Sequence, residues 1–334
     1  MSELPLDTAP TGREGWERLG VDEAYPAIRV RHIWHRFGVL DVLRDVTFDV
    51  AEGEIFGFIG PNGAGKTTTM RILATLLEPS RGTAYIDGLN VVENGREVRR
   101  RVGYMPDFMG VYDDLKVFEY LEFFAAAFEI PRKKRAAIVE SVLELTDLQS
   151  KRAATVDSLS RGMQQRLGVA RVLIHDPKVL ILDEPASGLD PRARIEIREL
   201  LRELKRMGKT IMISSHILSE LEEMCDHVGI IEKGRLVFKG SLEEIRERLG
   251  VGQKVHLRVG GDPNAALELL QSLPQIHNAQ LDDGQLLVTL SDGHLNDGFI
   301  ARKLVQAGFD LLLLQPEQIK LDQAFLQLTK GVVH

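Results

Sequence analysis

Short apolar runs bounded by turn residues recur between Ile28 and about Gly240. The runs EIFGFIG, VGYM, KVLILDE, TIMISSH and HVGIIEKG alternate with segments whose apolar residues recur at helical spacing. Buried strands that alternate with helices predict an α/β domain with a largely parallel sheet. The runs AIRVRHIWHRF and DVTFDV come first and predict an antiparallel β subdomain.

Strand-like runs disappear in the middle of this region. The segments LKVFEYLEFFAAAFEI, KKRAAIVESVLELTDL and QQRLGVARVLI all carry apolar residues at helical spacing. The pattern therefore predicts a helical insert over about 108–169 within an α/β domain that covers 28–245.

A second pattern begins after SLEEIRERLG, which we interpret as a boundary helix. The order of the predicted elements from 250 to 334 is β-α-β-β-α-β, which is typical of a small ferredoxin-like α+β domain. A further apolar helical face over Gln318 to Lys330 predicts a docked helix. We expect residues 1 to about 27 to form a mobile tail, because they contain early acidic residues, prolines and no apolar signal-peptide core.

Composition narrows the choice of function only slightly. The chain has 334 residues, of which 44% are hydrophobic and 27% charged, an ordinary balance for a soluble globular protein. The single cysteine, Cys225, excludes an intramolecular disulfide. A net charge of −7 argues against general nucleic-acid binding, and no apolar run approaches the roughly 18 residues that span a bilayer.

Glycines crowd one strand-to-helix junction, GFIGPNGAGKTTTM. The spacing Gly60-x-x-x-x-Gly65-Lys66-Thr67 is that of a P-loop, whose backbone N–H groups surround a phosphate. In such a loop Lys66 reaches the β- and γ-phosphates, and the hydroxyl of Thr67 suits Mg²⁺. The alternative is an ordinary glycine-rich turn. The predicted nucleotide-binding residues of this loop are Gly60, Pro61, Asn62, Gly63, Ala64, Gly65, Lys66, Thr67 and Thr68.

Two acidic residues follow the apolar run of KVLILDEP. Open α/β sheets bind ligands at the carboxyl ends of their strands, where Asp183 and Glu184 would lie. Asp183 fits a role beside Mg²⁺, and Glu184 fits the group that polarises an attacking water. Without a P-loop upstream, such a pair would more often cap a helix.

The segment LSRGMQQRL, shortly before LILDEPASGLD, resembles the signature of ATP-binding-cassette ATPases. The other motifs of that family follow in its order between Ile28 and Gly240. They are the P-loop, VGYMPD ending at Asp107, the signature over Leu159 to Gln164, the Walker B strand over Val179 to Glu184, SGLD over Ser187 to Asp190, and ISSH ending at His216.

The resemblance implies an α/β P-loop ATPase with an antiparallel β subdomain and a helical insert, which uses ATP and Mg²⁺. It implies that Phe37 stacks on adenine, although by itself this residue would more often be a core aromatic. It further implies that Ser160, Gly162 and Asp190 contact nucleotide. The implied catalytic residues are Glu184, His216, Lys66 and Asp107, and the implied metal-binding residues are Thr67, Asp107 and Asp183.

Two positions depart from the family pattern. Asp107 replaces the usual glutamine, so a carboxylate that can hold Mg²⁺ but repels the γ-phosphate stands at this position. The alternative is that Asp107 caps the first insert helix. In the signature, Arg161 and Met163 replace a glycine and a glutamine, while Ser160 and Gly162 keep the groups that approach a phosphate.

The resemblance also implies partners. Family members pair head to tail, so a chain with one P-loop and one signature forms a homodimer or a heterodimer. Its permease would be a separate membrane polypeptide that docks on the insert, which places the chain in the cytoplasm at the inner face of the cell membrane, with no nucleic-acid partner.

The segments EQIKLDQAFLQLTKG and MPDFMGVYDDLKVFEYLEFFAAAF resemble those of ABC-2-type exporter ATPases, with 250–334 as an accessory or regulatory domain. One alternative is a soluble ABC ATPase that acts on ribosomes or DNA. A P-loop kinase or GTPase fits less well, because it would not explain LSRGMQQRL.

Overall fold

The computed structural model divides the chain into two compact units, Met1–Gly240 and Ser241–His334. It describes residues 26–108, 110, 114–217, 221, 224–248, 254–291 and 298–316. The predicted tail lies almost wholly outside these residues. Ala27, its last residue, is already buried, and its carbonyl accepts a 2.9 Å hydrogen bond from the backbone N–H of Asp87.

An antiparallel sheet forms the first layer of the first unit and confirms the predicted β subdomain. Its strand order is β2-β1-β4-β5. The strands are β1 (Ile28–Phe37), β2 (Leu40–Val50), β4 (Arg81–Ile86) and β5 (Leu89–Asn90). Buried and exposed positions largely alternate along β1 and β2, because one face of this sheet packs on the core.

The second sheet of this unit carries the candidate site residues at the ends of its strands. Its strands are β3 (Ile55–Ile59), β6 (Val102–Met105), β7 (Val179–Leu182), β8 (Thr210–Ser215), β9 (His227–Glu232) and β10 (Arg235–Ser241), in the order β10-β9-β3-β8-β7-β6. Strand β3 runs parallel to β8 and β9, and β7 runs parallel to β6 and β8. Every residue of β3, β7 and β8 is buried, as expected for a parallel sheet covered on both faces. The P-loop, Asp183 and His216 therefore follow strands that end at one edge.

Six helices accompany the parallel sheet in the described part of this unit, and the third, fourth and fifth of them form the predicted insert. They are α1 (Lys66–Leu73), α2 (Gly95–Arg101), α3 (Val117–Ala127), α4 (Arg132–Leu145), α5 (Arg161–Leu173) and α6 (Pro191–Arg206). Among the described residues, the first helix of the insert begins at Val117, with Lys116 as its N-cap. The alternative that Asp107 caps this helix is therefore wrong.

The second unit has the element order α7 (Leu242–Arg248), β11 (Lys254–Gly260), α8 (Pro263–Gln271), β12 (Ile276–Asp282), β13 (Gln285–Leu290), α9 (Phe299–Gln306) and β14 (Asp310–Pro316). Its sheet order is β12-β13-β11-β14, and the pairs are antiparallel. This is the predicted ferredoxin-like arrangement. The helix predicted over Gln318 to Lys330 lies outside the described residues. Within the part of the chain that the structure describes, no helix combines the length and apolarity needed to cross a bilayer.

Candidate functional site

The P-loop turns sharply between β3 and α1. Gly65 is the N-cap of α1 and has a φ of +111°, a conformation that disfavours any side chain. No side chain caps this helix end. The first-turn N–H groups of α1 are therefore directed at the cleft together with the positive end of the helix dipole, which is the arrangement that binds phosphate.

Lys66 is held above this loop by backbone oxygens. Its side chain is only 6% exposed, and Nζ donates to the carbonyl oxygen of Gly60 at 2.6 Å. The same Nζ lies 3.3 Å from Oε1 of Glu184. A nearly buried ammonium group next to one carboxylate leaves a cation available to bind phosphate oxygens in the cleft.

A buried hydroxyl fixes the two acidic residues at the end of β7. Ser214 Oγ donates to Oδ1 of Asp183 at 2.5 Å and accepts from the backbone N–H of Glu184 at 2.9 Å. Asp183 is 1% exposed, and its Oδ2 has no hydrogen-bond partner in the described structure. Because a buried polar atom without a partner is costly, Oδ2 fits a bound water or ion.

Glu184 adopts a strained backbone and makes two charged contacts. Its φ is +51°, which is uncommon for a residue with a side chain and costs of order 1 kcal/mol or more. Its Oε2 lies 2.9 Å from Nδ1 of His216, which follows β8. Glu184 thus lies between Lys66 and His216, in a position to accept a proton from a water in the cleft.

Asp107 completes the cleft on the side of β6. The cleft has a volume of about 270 Å³ and is lined by Val42, Pro61, Asn62, Gly63, Gly65, Lys66, Thr67, Thr68, Asp107, Glu184, Ser187 and His216. Desolvation, together with the negative charges of Asp183 and Glu184, raises the pKa of the Asp107 carboxyl. Asp107 therefore faces a site that already carries negative charge.

Four of the residues predicted from the sequence lie away from this cleft. Ser160 is the N-cap of α5, and its Oγ accepts from the backbone N–H of Met163 at 3.4 Å. Gly162 packs on Ala193, since a β-carbon built on Gly162 would come within 2.9 Å of that side chain.

Asp190 is the N-cap of α6 and accepts from the backbone N–H of Ala193 at 3.0 Å. Phe37 is 49% exposed and contacts His35 edge-on, so it is not a core aromatic.

Sequence reasoning missed two residues of the site, Ser187 and Ser214. Ser187 lines the cleft, and Ser214 joins Asp183 to Glu184. The signal for Ser214 was present, because a pair of hydroxyl residues ends the otherwise apolar run TIMISS. Buried polar groups in such a run are hydrogen-bonded to a partner, which here is the acidic pair on the neighbouring strand.

Known proteins are similar to this chain over most of its length. Residues 43–187 match the family model described as "ABC transporter". The chain is 36% identical over 306 residues to the bacitracin transport ATP-binding protein BcrA of Bacillus licheniformis, covering 91% of this chain and 97% of that protein. It is 40% identical over 245 residues to the Nod factor export ATP-binding protein I of Burkholderia orbicola, covering 73% of this chain and 80% of that protein.

Solved structures show the same fold. The structure of an ATP-binding subunit of an ABC transporter is 32% identical to this chain, with a TM-score of 0.61. The match covers 67% of this chain and 93% of that subunit. The structure of CbiO1 from Clostridium perfringens is 26% identical, with a TM-score of 0.61. The match covers 75% of this chain and 96% of CbiO1. Together with the cleft, these likenesses show that the chain belongs to the ABC transporter family, as an ATP-hydrolysing, ATP-binding subunit of the ABC-2 exporter type.

Proposed function

We propose that the chain hydrolyses MgATP in the cleft between the P-loop and Glu184, and that it powers export through a separate membrane permease. The observation that carries this proposal is the joint position of Lys66, Glu184 and His216 at the carboxyl edge of the parallel sheet. Lys66 and the first-turn N–H groups of α1 bind the phosphates. Glu184 orients and deprotonates the attacking water, and His216 holds Glu184 and reaches the γ-phosphate.

The residues at the edge of β7 fit a magnesium ion. Oδ2 of Asp183 is buried without a partner, and Thr67 lines the cleft. Within the described ranges, no group of three or more histidine, cysteine or acidic side chains is arranged to hold a metal ion by itself. This donor set suits Mg²⁺, which is usually held by one or two carboxylates, waters and substrate phosphates. Bound there, Mg²⁺ would neutralise charge on the phosphate oxygens.

Asp107 needs such a positive charge in its vicinity. A carboxylate about 4 Å from a phosphate oxygen costs roughly 4 kcal/mol at an effective dielectric constant near 20. We propose that Asp107 contacts the metal side of the phosphates, so that ion binding offsets this repulsion.

The position of the signature residues supports a head-to-tail dimer. Ser160 and Gly162 begin α5 and do not line the cleft of their own chain. A second chain that presents these residues would place another helix N-terminus against the γ-phosphate. The partner is a second copy or a homologous subunit, and adenine would stack on the exposed ring of Phe37.

An apolar groove on the first unit supports permease docking. It has a volume of about 200 Å³, and its lining residues are Ala74, Leu76, Arg99, Val102, Tyr104, Phe124, Phe128, Arg171, Val172 and His175. Tyr104 lies on β6, three residues before Asp107, so a segment seated in the groove would contact the strand that leads to the cleft. We propose that a cytoplasmic segment of the permease occupies this groove and holds the chain at the inner face of the membrane.

Cysteine crosslinking tests the dimer. In a background with Cys225→Ala and Glu184→Gln, one protein carries Ser160→Cys and another carries Asn62→Cys. We expect a disulfide between the two proteins when MgATP is present, and none without nucleotide. The matched control replaces Ser160→Cys with Glu140→Cys, an exposed position on α4 that does not line the cleft. Equal crosslinking from both positions, or none from Ser160→Cys, would overturn the head-to-tail arrangement.

Membrane binding tests the groove. Phe128 and Phe123 are 37% and 48% exposed, and only Phe128 lines the groove. We expect Phe128→Asp to abolish sedimentation of the protein with membranes that contain its permease, while Phe123→Asp sediments like the wild type. Loss in both variants, or in neither, would contradict docking at this groove.

A further inference from the structure

The tight turn between β9 and β10 lies against the P-loop. Its two residues, Lys233 and Gly234, connect Glu232 to Arg235 and have φ values of +48° and +79°. The backbone N–H of Gly234 donates to the carbonyl oxygen of Ala64 at 3.0 Å. A turn near the end of the first unit is therefore bonded to a P-loop residue that lies far earlier in the chain.

The same turn is also bonded to the antiparallel sheet. The backbone N–H of Arg44, on β2, donates to the carbonyl oxygen of Gly234 at 2.8 Å. Val42, two residues earlier on the same strand, lines the nucleotide cleft. Gly234 thus joins β2 to the P-loop through both of its backbone polar groups.

The hairpin alone does not explain this glycine. Gly284 occupies the same place in the turn between β12 and β13, with a φ of +73°, and a β-carbon built on it would meet nothing within 4 Å. Gly234 is buried, and a β-carbon built on it would lie 2.3 Å from the carbonyl oxygen of Val42 and 3.2 Å from Cα of Leu43. Both turns need a positive φ, but only at Gly234 does a neighbouring backbone also need the space of the missing side chain.

The bond to Ala64 sets the orientation of a phosphate-binding group. The C=O of Ala64 and the N–H of Gly65 belong to one planar trans peptide group, so they point in opposite directions. Because Gly234 holds the carbonyl oxygen, the N–H of Gly65 is turned away from the hairpin and towards the cleft, which Gly65 lines. Among the described residues this N–H has no hydrogen-bond partner, so it can donate to a phosphate oxygen.

We propose that Gly234 is a positioning residue for ATP binding. It holds the peptide group between Ala64 and Gly65 in the orientation that binds phosphate, and it ties that group to the strand that carries Val42. This inference rests on the proposed binding of ATP in the cleft, and it requires neither the permease nor the dimer.

Substitution in the turn tests this role. Gly234→Ala introduces the close contact with β2 and should displace the turn, so that the N–H of Gly65 loses its orientation. A hydrogen bond to the bound phosphate is made in the ground state and the transition state alike, so its loss should raise KM for ATP by about tenfold and leave kcat within about twofold of the wild type. A lower kcat with an unchanged KM would indicate only a smaller folded fraction and would overturn the proposal.

Two further variants separate the close contact from the turn conformation. Gly208→Ala changes an exposed glycine of the same unit with a φ of +83°, where a built β-carbon meets nothing within 4 Å, and should leave KM unchanged. Gly234→Asn relieves part of the backbone strain, because asparagine tolerates the left-handed conformation, but its β-carbon still meets Val42. KM should therefore stay as high in Gly234→Asn as in Gly234→Ala. Recovery in Gly234→Asn, or an equal rise of KM in Gly208→Ala, would contradict the role of the contact.

A measurement on the wild-type protein covers the case in which the Gly234 variants do not fold. In the nucleotide-free protein, hydrogen exchange at the backbone N–H of Gly234, followed by NMR, should be about 10²-fold or more slower than in an unstructured peptide, because this group is bonded to Ala64. Exchange without protection would show that the turn does not hold the P-loop. If the wild type fails to bind ATP in equilibrium dialysis, the assignment of the cleft fails instead, and hydrogen exchange still tests the contact.

Discussion

The two units of the chain differ in what they bury. In the first unit the buried residues include twelve polar or charged ones, which are His35, Glu54, Lys66, Thr69, Asn90, Thr146, Gln165, Arg166, Asp183, Thr210, Ser214 and Ser215. The described part of the second unit has a buried core of apolar residues alone. Burying a polar group is costly unless it is bonded. Four of the twelve, Lys66, Asp183, Ser214 and Ser215, lie at the carboxyl edge of the parallel sheet, where the fold holds chemical groups in place, whereas the core of the second unit serves packing.

The backbone strain of Glu184 in the first unit differs in kind from the strain seen in the second unit. In the second unit, Asp283 and Gly284 have φ values of +41° and +73° and form the two-residue connection between β12 and β13. An Asp-Gly pair is the preferred sequence for such a tight hairpin turn, so local chemistry explains it. Glu184 has a similar φ without a hairpin turn that requires it. Its strain is explained by the cleft that its side chain enters.

The largest effect should come from the strained carboxylate. Glu184→Gln should lower kcat for ATP hydrolysis by about 10²–10⁴-fold, because the general base is lost, while ATP still binds. Steady-state ATPase assays and equilibrium dialysis measure the two quantities. Glu199→Gln, which changes an exposed glutamate on α6, is the control. Near-normal turnover of Glu184→Gln would remove this residue from the proposed role.

A cavity in the second unit should affect stability and leave catalysis intact. Leu257 is fully buried, so Leu257→Ala should lower the free energy of unfolding of this unit by about 2–5 kcal/mol. Thermal unfolding measures the change, and kcat should stay at the wild-type value at a temperature where both proteins are folded. A parallel loss of ATP affinity would show that the two units do not divide packing from chemistry.

Removing the buried cation should weaken nucleotide binding. Lys66→Ala should raise the dissociation constant of ATP by about tenfold or more, because charge-assisted hydrogen bonds to the phosphates are lost. Equilibrium dialysis gives the constant directly. Arg171→Ala removes a cation from the apolar groove of the same unit and should not change it. Equal dissociation constants for Lys66→Ala and the wild type would be inconsistent with the phosphate contact.

The smallest effect concerns the metal. Asp107→Asn should raise the Mg²⁺ concentration for half-maximal ATPase activity by about two- to fivefold, since an amide oxygen is a weaker ligand than a carboxylate. Asp107→Gln, which restores the usual family residue, should retain most of the activity. A Mg²⁺ titration that is superimposable for Asp107→Asn and the wild type would refute metal contact by Asp107.

The sequence predicted the element order of the second unit and most strands of the first, but it did not predict β4, β5 and β10. Apolar runs such as Val179 to Leu182 are continuous because their strands are buried on both faces, and such runs are visible without any partner. The P-loop was equally visible, since Gly65 and Lys66 act through backbone geometry that neighbouring residues create. The helix α3 also lies within the segment LKVFEYLEFFAAAFEI, whose helical spacing was visible in the sequence.

Contacts between distant segments required the tertiary structure. Ser214 reaches Asp183, and Lys66 reaches Glu184, only because β3, β8 and β7 are neighbours in the sheet. The sequence determined the groups that carry the chemistry and the elements that hold them, since both follow from local pattern. Strand order and packing decided which of these groups meet, because distances between residues far apart in the sequence are fixed only when the sheet and the insert are assembled.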